Sequence, residues 1–435
     1  MPDPYVFAIL LTLLVAVLNF FIIPEASVDG IIDAWYQGVW GSQNIFVFTL
    51  QMTLILVTGT TLAKAPLIAM MLQKLASYPR NQVEAAILCF LTGAIASLIN
   101  WGLGLVVGTL LAIEIVKRME EVDFAYLVAA AYMGFIVWTS GFSSSIALAN
   151  ADSGSALNII YRMTGQTVPM RHSIFSTYNL IAVAATLVIF PLMLRLIAPE
   201  KIKPIDRAFL HKDIPKETSR PKHIAEKLEN AWILNVIFVA VGSYQFFFLR
   251  TGPVTINSVI LIFGILGLLL HWTPIRYARA FTDSAKVSGS LLLQYPLYGG
   301  IMALIAYAPH AHIDPLHTVL AQKMIDAATP ATLPFLNFLS SCIITMFVPS
   351  GGGHWAVQGP VSIQAAIALG ESSPAYLGKI SMSVAFGEGV FNMIQPFWAL
   401  PVLSLAGLNI RDIMGYCTVA LIAGFCTFGA ALIFS

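Results

Sequence analysis

The chain has 435 residues, 58% of them hydrophobic and 10% charged, with a formal net charge of +1. A soluble domain of ordinary composition carries about 25% charged residues, so a large soluble core is a poor fit. The balanced charge offers no basic or acidic field for nucleic acid.

In chain order, residues 5–24, 44–63, 124–149, 172–198, 230–249, 254–271, 287–308, 376–405 and 412–434 read as membrane spans. Each approaches or exceeds the ~20 residues that cross ~30 Å of hydrocarbon. The first lacks a basic region over Met1–Tyr5 and no small-x-small site closes it, so it reads as a retained span and not a signal peptide. Residues 83–115 and 332–368 are too long and too rich in Gly and Pro for one helix. Both read as re-entrant hairpins that enter and leave on the same side. Irregular backbone at such depth is tolerated only inside protein or along a cavity, which makes the two tips functional candidates.

Basic residues orient this map. With the N-terminus inside, 18 of the 23 Lys and Arg fall on the cytoplasmic side; only Arg162, Arg171, Arg250, Lys323 and Lys379 fall outside. That asymmetry is the positive-inside pattern. It places the N-terminus and the charged, Pro-containing 199–229 linker in the cytoplasm and the C-terminus in the periplasm. The linker separates two similar halves, residues 1–198 and 250–435, with 230–249 as an extra span. A shift of 250 residues aligns Met52–Ile55 with Met302–Ile305, Gly102 with Gly352, and Ala125–Leu127 with Ala375–Leu377. An odd number of crossings between the halves inverts the second. The fold class expected is an all-α polytopic bundle of two inverted repeats, each with a re-entrant hairpin and a broken transmembrane helix (124–149 and 376–405), the pattern of secondary transporters.

Four segments could carry chemistry. At the first tip stand Asn100, Trp101 and Gly102, and at the second Ser350, Gly351, Gly352, Gly353 and His354. Three consecutive glycines disfavour a helix interior, at ~1 kcal/mol each against Ala. They let backbone N–H groups approach an anion at a helix start, and Ser350 adds a hydroxyl. In the first broken span, Thr139 to Ser145 offers a glycine break, Gly141, among hydroxyls, with Ser140, Ser143 and Ser144 as candidate ligands; those hydroxyls can equally bond back to their own helix. In the second, Gly387 and Gly389 flank Glu388, and Asn392 and Gln395 follow before Pro396. An ionisable residue within a span is a functional candidate by default, which makes Glu388, with Asn392 and Gln395, the expected cation-coupling group. The cysteines Cys89, Cys342, Cys417 and Cys426 sit in apolar stretches without metal spacing and read as small hydrophobes. No acid or Cys completes a site around His310, His312 and His317, so no firm metal site is read, although Na⁺ near Glu388 is open.

The stretch Phe347–Pro360, FVPSGGGHWAVQGP, together with Asn100–Gly104 and Gly387–Gly389, resembles the bacterial short-chain fatty acid transporter family, the acetoacetate and butyrate permease type. The likeness spans the chain. One departure is His354, a titratable imidazole where the family pattern is expected to have Gln. The family lies in a wider ion-transporter group that includes dicarboxylate–sodium symporters. The resemblance implies paired re-entrant hairpins, elevator-like motion and a homodimer in the bacterial inner membrane.

Together these readings point to a non-enzymatic secondary carrier of small monocarboxylates, working in the lipid bilayer without a cofactor and coupled to H⁺ or Na⁺. The alternative of the same class is a sodium-coupled carrier of dicarboxylates or another small organic anion. A channel and an intramembrane enzyme are competing classes; Ser350 with His354 is the local nucleophile–base pair the second would need.

Overall fold

The computed structural model describes residues 4–202, 223–251, 254–310, 312–346, 348–395 and 397–434. Most of the 199–229 linker, and Phe347 and Pro396 of the motifs, lie outside these. All regular structure among the described residues is helical. In the first half run α1 (Pro4–Ile22), α2 (Val28–Val39), α3 (Phe46–Ala63), α4 (Pro66–Leu75), α5 (Gln82–Ile99), α6 (Trp101–Val116), α7 (Phe124–Met133), α8 (Ser145–Ala151), α9 (Ile159–Thr164) and α10 (Thr177–Leu196). The rest comprises α11 (Ile224–Glu229), α12 (Trp232–Tyr244), α13 (Ile256–His271), α14 (Pro274–Ala285), α15 (Gly289–Ile305), α16 (Leu316–Ala327), α17 (Leu333–Thr345), α18 (Gly351–Ala368), α19 (Pro374–Phe391), α20 (Ala399–Ala406) and α21 (Ile410–Ile433).

Six helical stretches among the described residues are long and apolar enough to cross a membrane, with shorter apolar helices beside them. The 224–249 stretch turns almost all its surface outward, with Phe238 70% and Phe247 73% exposed, as a lipid-facing element does. The polar side chains are gathered instead in the interior, where Asn100, His354, Glu388 and Asn392 are fully buried.

One residue makes the first tip. Asn100 is extended, at φ −154° and ψ 124°; its N–H closes α5 on Ala96 O, and its Oδ1 accepts from Leu103 N to open α6. The chain therefore doubles back, and α5 packs along α6 and α7. Ser350, 250 positions later, has nearly the same backbone, φ −151° and ψ 118°, and opens α18. The same interval separates the starts of α7 and α19, whose N-caps Asp123 and Ser373 accept from Tyr126 N and Tyr376 N. Shared capping chemistry at a constant interval extends the sequence correspondence to the backbone.

Both broken segments interrupt their helices, but not alike. After α7 the chain tightens into a 3-10 turn over Gly134–Ser140, unwinds at Gly141 and restarts at α8, capped by Ser144 Oγ on Ala147 N. The second break does not fall at Gly387–Gly389, where the sequence suggested it. These residues lie inside continuous α19, and Asn392 N bonds Glu388 O, so that carbonyl is not freed for a cation. The break starts at Asn392. The glycines serve close packing: a side chain on Gly387 would meet Ser341, and one on Gly389 would meet Ile136 O. Likewise, Gly351–Gly353 form the first turn of α18 and not a loop, and Pro360 is accommodated inside that helix. Between the spans, α2 and α14 add two amphipathic helices.

Candidate functional site

The second tip, the first broken segment and α19 converge on Gly351. A methyl group built there would lie 2.5 Å from Ser145 Oγ, 2.9 Å from the Trp138 ring and 3.3 Å from Glu388 Oε2. Such spacing admits only glycine, and it brings the opening turn of α18 against a carboxylate and a hydroxyl from two other elements. Glu388 is fully buried and neither carboxylate oxygen has a hydrogen-bond partner among the described residues. Trp138 Nε1, Thr139 Oγ1 and Ser140 Oγ of the first broken segment, and both Asn392 side-chain atoms at the second break, are also buried without one. Burying a polar group unpaired costs on the order of 1–3 kcal/mol, so several on two segments that pack together mark a site built for something the chain itself does not supply.

The remaining candidates divide between this cluster and its supports. Ser350 Oγ donates to Tyr295 Oη at 2.5 Å, tying the tip to α15. Asn100 is spent on capping α6, and its Oδ1 lies close against Gly59 of α3. Trp101 stacks edge-on against Trp398, ring centres 4.9 Å apart, and Trp398 Nε1 donates to Pro349 O at 2.6 Å. This aromatic bridge joins the first tip to the second. Ser143 Oγ donates to Ser97 O, and Gly141 sits against Leu98 O, so both lock the first break onto the first tip. Ser144 is a cap, and Gly102 lies over Leu56 O. Gly352 faces the Phe48 ring and Gly353 the Tyr298 ring. Gln395 Oε1 accepts from Phe397 N, bracing the second break, while Tyr132 Oη donates to Asn392 O at 2.6 Å.

His354 lies between α17 and α18. Its Nε2 is 2.7 Å from Gln358 Oε1 and its Nδ1 3.3 Å from Thr345 Oγ1. Gln358 Nε2 already donates to Asn337 O and Ser340 Oγ, so Gln358 Oε1 faces the imidazole as an acceptor and His354 Nε2 carries the proton. The imidazole thus ties α18 to the end of α17.

The profile of the short chain fatty acid transporter family matches residues 1–435. The chain belongs to that family. Its relatives include proteins named as short-chain fatty acid transporters in Escherichia coli, 39% identical over 429 residues (97% of this chain, 93% of that one), and in Haemophilus influenzae, 37% identical over 434 residues (97% and 94%). Among solved structures, the YdaH transporter of Alcanivorax borkumensis aligns at TM-score 0.54 and 15% identity, covering 100% of this chain and 99% of that one. MtrF of Neisseria gonorrhoeae, described with a class of antimetabolite efflux pumps, aligns at 0.56 and 16%, covering 99% and 95%. At such identities these two show the fold alone. The chain is a multi-pass membrane transport protein and not an enzyme.

For this family member, Tyr295, Ser145, Trp138 and Thr139 belong to the cluster but were not singled out as ligands from the sequence. Thr139 and Ser145 bound the hydroxyl run and could have been included on that ground. Tyr295 and Trp138 carry no local signal, since an aromatic within a span is ordinarily packing.

Proposed function

We propose that the chain is a secondary active carrier of short-chain monocarboxylates, of the acetoacetate, butyrate or acetate type, across the bacterial inner membrane. Transport is coupled to H⁺ or Na⁺, and the two tips move with their broken helices in an elevator-like cycle within a homodimer. The observation that carries this reading is the buried cluster around Gly351. Glu388 stands there on α19, which packs along the first broken segment, and these two segments carry buried donors that lack partners: Trp138 Nε1, Thr139 Oγ1, Ser140 Oγ and Asn392 Nδ2. A carboxylic acid resembling Glu, with a pKa near ~4.3, is an anion at neutral pH and needs such donors once it leaves water. Neutral donors suit a single carboxylate, and the rings of Trp101, Trp138 and Trp398 would receive its short apolar tail.

Coupling follows from charge. An anion entering against an inside-negative potential is opposed by ~2.3 kcal/mol per 100 mV, so accumulation requires a co-transported cation. Glu388, next to the substrate donors, is the group assigned to it; H⁺ is favoured because α19 stays helical around Glu388 and offers no freed carbonyl there for Na⁺. Orientation follows the basic asymmetry, with the N-terminus and the 199–229 linker cytoplasmic and the C-terminus periplasmic.

The test is counterflow in proteoliposomes loaded with unlabelled butyrate. Labelled butyrate should accumulate transiently and unchanged, and be displaced by acetoacetate and acetate but not by succinate. Displacement by succinate with Na⁺ dependence would favour the dicarboxylate reading; flux without saturation would mean a channel.

A further inference from the structure

A cavity of about 830 Å³ runs between α10 and α21, and Glu388 is not among its lining residues. Its walls are apolar along most of their length: Ile181, Ala185 and Ile189 from α10, Cys426 and Ala430 from α21, and Phe434 just past its end. Ridges stand out from a low floor, with Ile181 59% and Phe434 87% exposed while Ala182 is fully buried. The polar end is formed by Arg171, His172 and Ser176, which precede the first residue of α10. Arg171 Nε donates to His172 Nε2 at 3.1 Å, and the Arg171 guanidinium brings a fixed positive charge to this end. Arg171 makes no other hydrogen bond to the described residues, which leaves its terminal N–H groups for a ligand.

We propose that this groove binds one anionic phospholipid of the surrounding bilayer, its phosphate at Arg171 and an acyl chain laid between α10 and α21. Three features agree on that occupant. Both flanking helices are membrane-length and apolar, and Arg171 lies just beyond the end of one of them, where headgroups sit. The lining extends along α10 from Thr177 to Ile189 and from Cys426 of α21 to Phe434. At 1.5 Å per residue those stretches are about 18 Å and 12 Å, which brackets the ~15 Å hydrocarbon depth of one leaflet. The fixed positive charge at the mouth complements the single negative charge of a phosphodiester, with the planar guanidinium suited to bidentate phosphate contact. A four-carbon carboxylate would fill only a small part of such a volume, so the transported substrate is a poor match for it.

The experiment is native mass spectrometry of the full chain, delipidated in detergent and then offered phosphatidylglycerol or phosphatidylcholine with the same acyl chains. Retention of phosphatidylglycerol should exceed that of phosphatidylcholine about fivefold, the equivalent of ~1 kcal/mol for one basic residue facing an anionic headgroup. Arg171→Gln should reduce phosphatidylglycerol retention to the level of phosphatidylcholine. Ala430→Trp, which fills the groove from its exposed side, should reduce retention of both. Equal retention of the two lipids by the unsubstituted chain, or an unchanged preference in Arg171→Gln, overturns the proposal. So does a lipid-free dimer that Ala430→Trp dissociates, which would mean that a second copy covers the groove.

Discussion

Asn100 and Ser350 occupy the same place at the two tips, but Asn100 caps the helix that follows it while Ser350 reaches across to Tyr295 on α15. Equivalent backbone thus carries unequal chemistry, and the two positions should respond differently to substitution. Asn100→Ala removes the bond to Leu103 N and should cost ~1 kcal/mol of stability, the usual value of an N-cap side chain. Ser350→Ala breaks no cap but leaves the buried Tyr295 Oη without its partner, and should cost ~1–3 kcal/mol of stability and also slow butyrate uptake, which Asn100→Ala should not. Unfolding in detergent and uptake in proteoliposomes, measured on both variants, separate the two roles.

The glycines of α18 should also separate. A methyl on Gly351 intrudes on Ser145, Trp138 and Glu388, inside the proposed substrate site, so Gly351→Ala should lower uptake more than ~10-fold, or ~1.4 kcal/mol. A methyl on Gly352 strikes the Phe48 ring, which packs against Tyr295 with ring centres 5.9 Å apart. Gly352→Ala should therefore act first on stability, by ~1–3 kcal/mol as overpacking does. Binding of butyrate to the folded fraction, followed by calorimetry, should survive in Gly352→Ala and be lost in Gly351→Ala.

Glu388→Gln keeps the shape of the side chain and removes its ability to ionise. Exchange of internal for external butyrate should persist, while uptake driven by an ion gradient should fall to the equilibrium level. Imposing a pH gradient and a Na⁺ gradient separately on the unsubstituted chain identifies the ion. Undiminished accumulation by Glu388→Gln under the driving gradient would remove this residue from the coupling step.

His354→Ala should destabilise by ~1–3 kcal/mol, because Gln358 Oε1 is left buried without its donor. His354→Gln supplies an amide N–H in the same region and should restore most of that stability without changing the coupling ion. Thermal unfolding tests the first statement; the pH- and Na⁺-gradient assay on His354→Gln tests the second. A changed ion preference would place His354 in the coupling step.

Outside the spans, Lys64 and Lys286 both bond Asp283, holding α3 against α14 and its carboxyl below the ordinary carboxylate range. A depressed carboxylate pKa contributes stability above its unfolded value and loses it as the pH falls through the folded one. Asp283 is more than half exposed, so the contribution is small. Asp283→Asn should therefore flatten a slight loss of stability seen below pH ~4 and leave neutral pH almost unaffected, as read by thermal unfolding across pH.

Hydropathy and local chemistry settled the class and the outline of this protein. Apolar length set by bilayer thickness announces spans, and Asn100 or Ser350 before a Gly-containing segment announces a helix start inside one, because these are properties of a few neighbouring residues. Glu388 stood out for the same reason, since an acid in an apolar run is visible without any partner. The partners themselves were not legible. That Gly351 faces Glu388 and Ser145, that Tyr295 receives Ser350, and that His354 turns inward to Gln358 depend on which helix faces touch across large separations in sequence. The second break moved from Gly387–Gly389 to Asn392 on the same account: only the packing of α19 against α17 and the first broken segment shows that those glycines admit neighbours and keep the helix whole. A glycine's local freedom is written in the sequence, but whether it is used to bend the chain or to let another element approach is decided by what lies opposite.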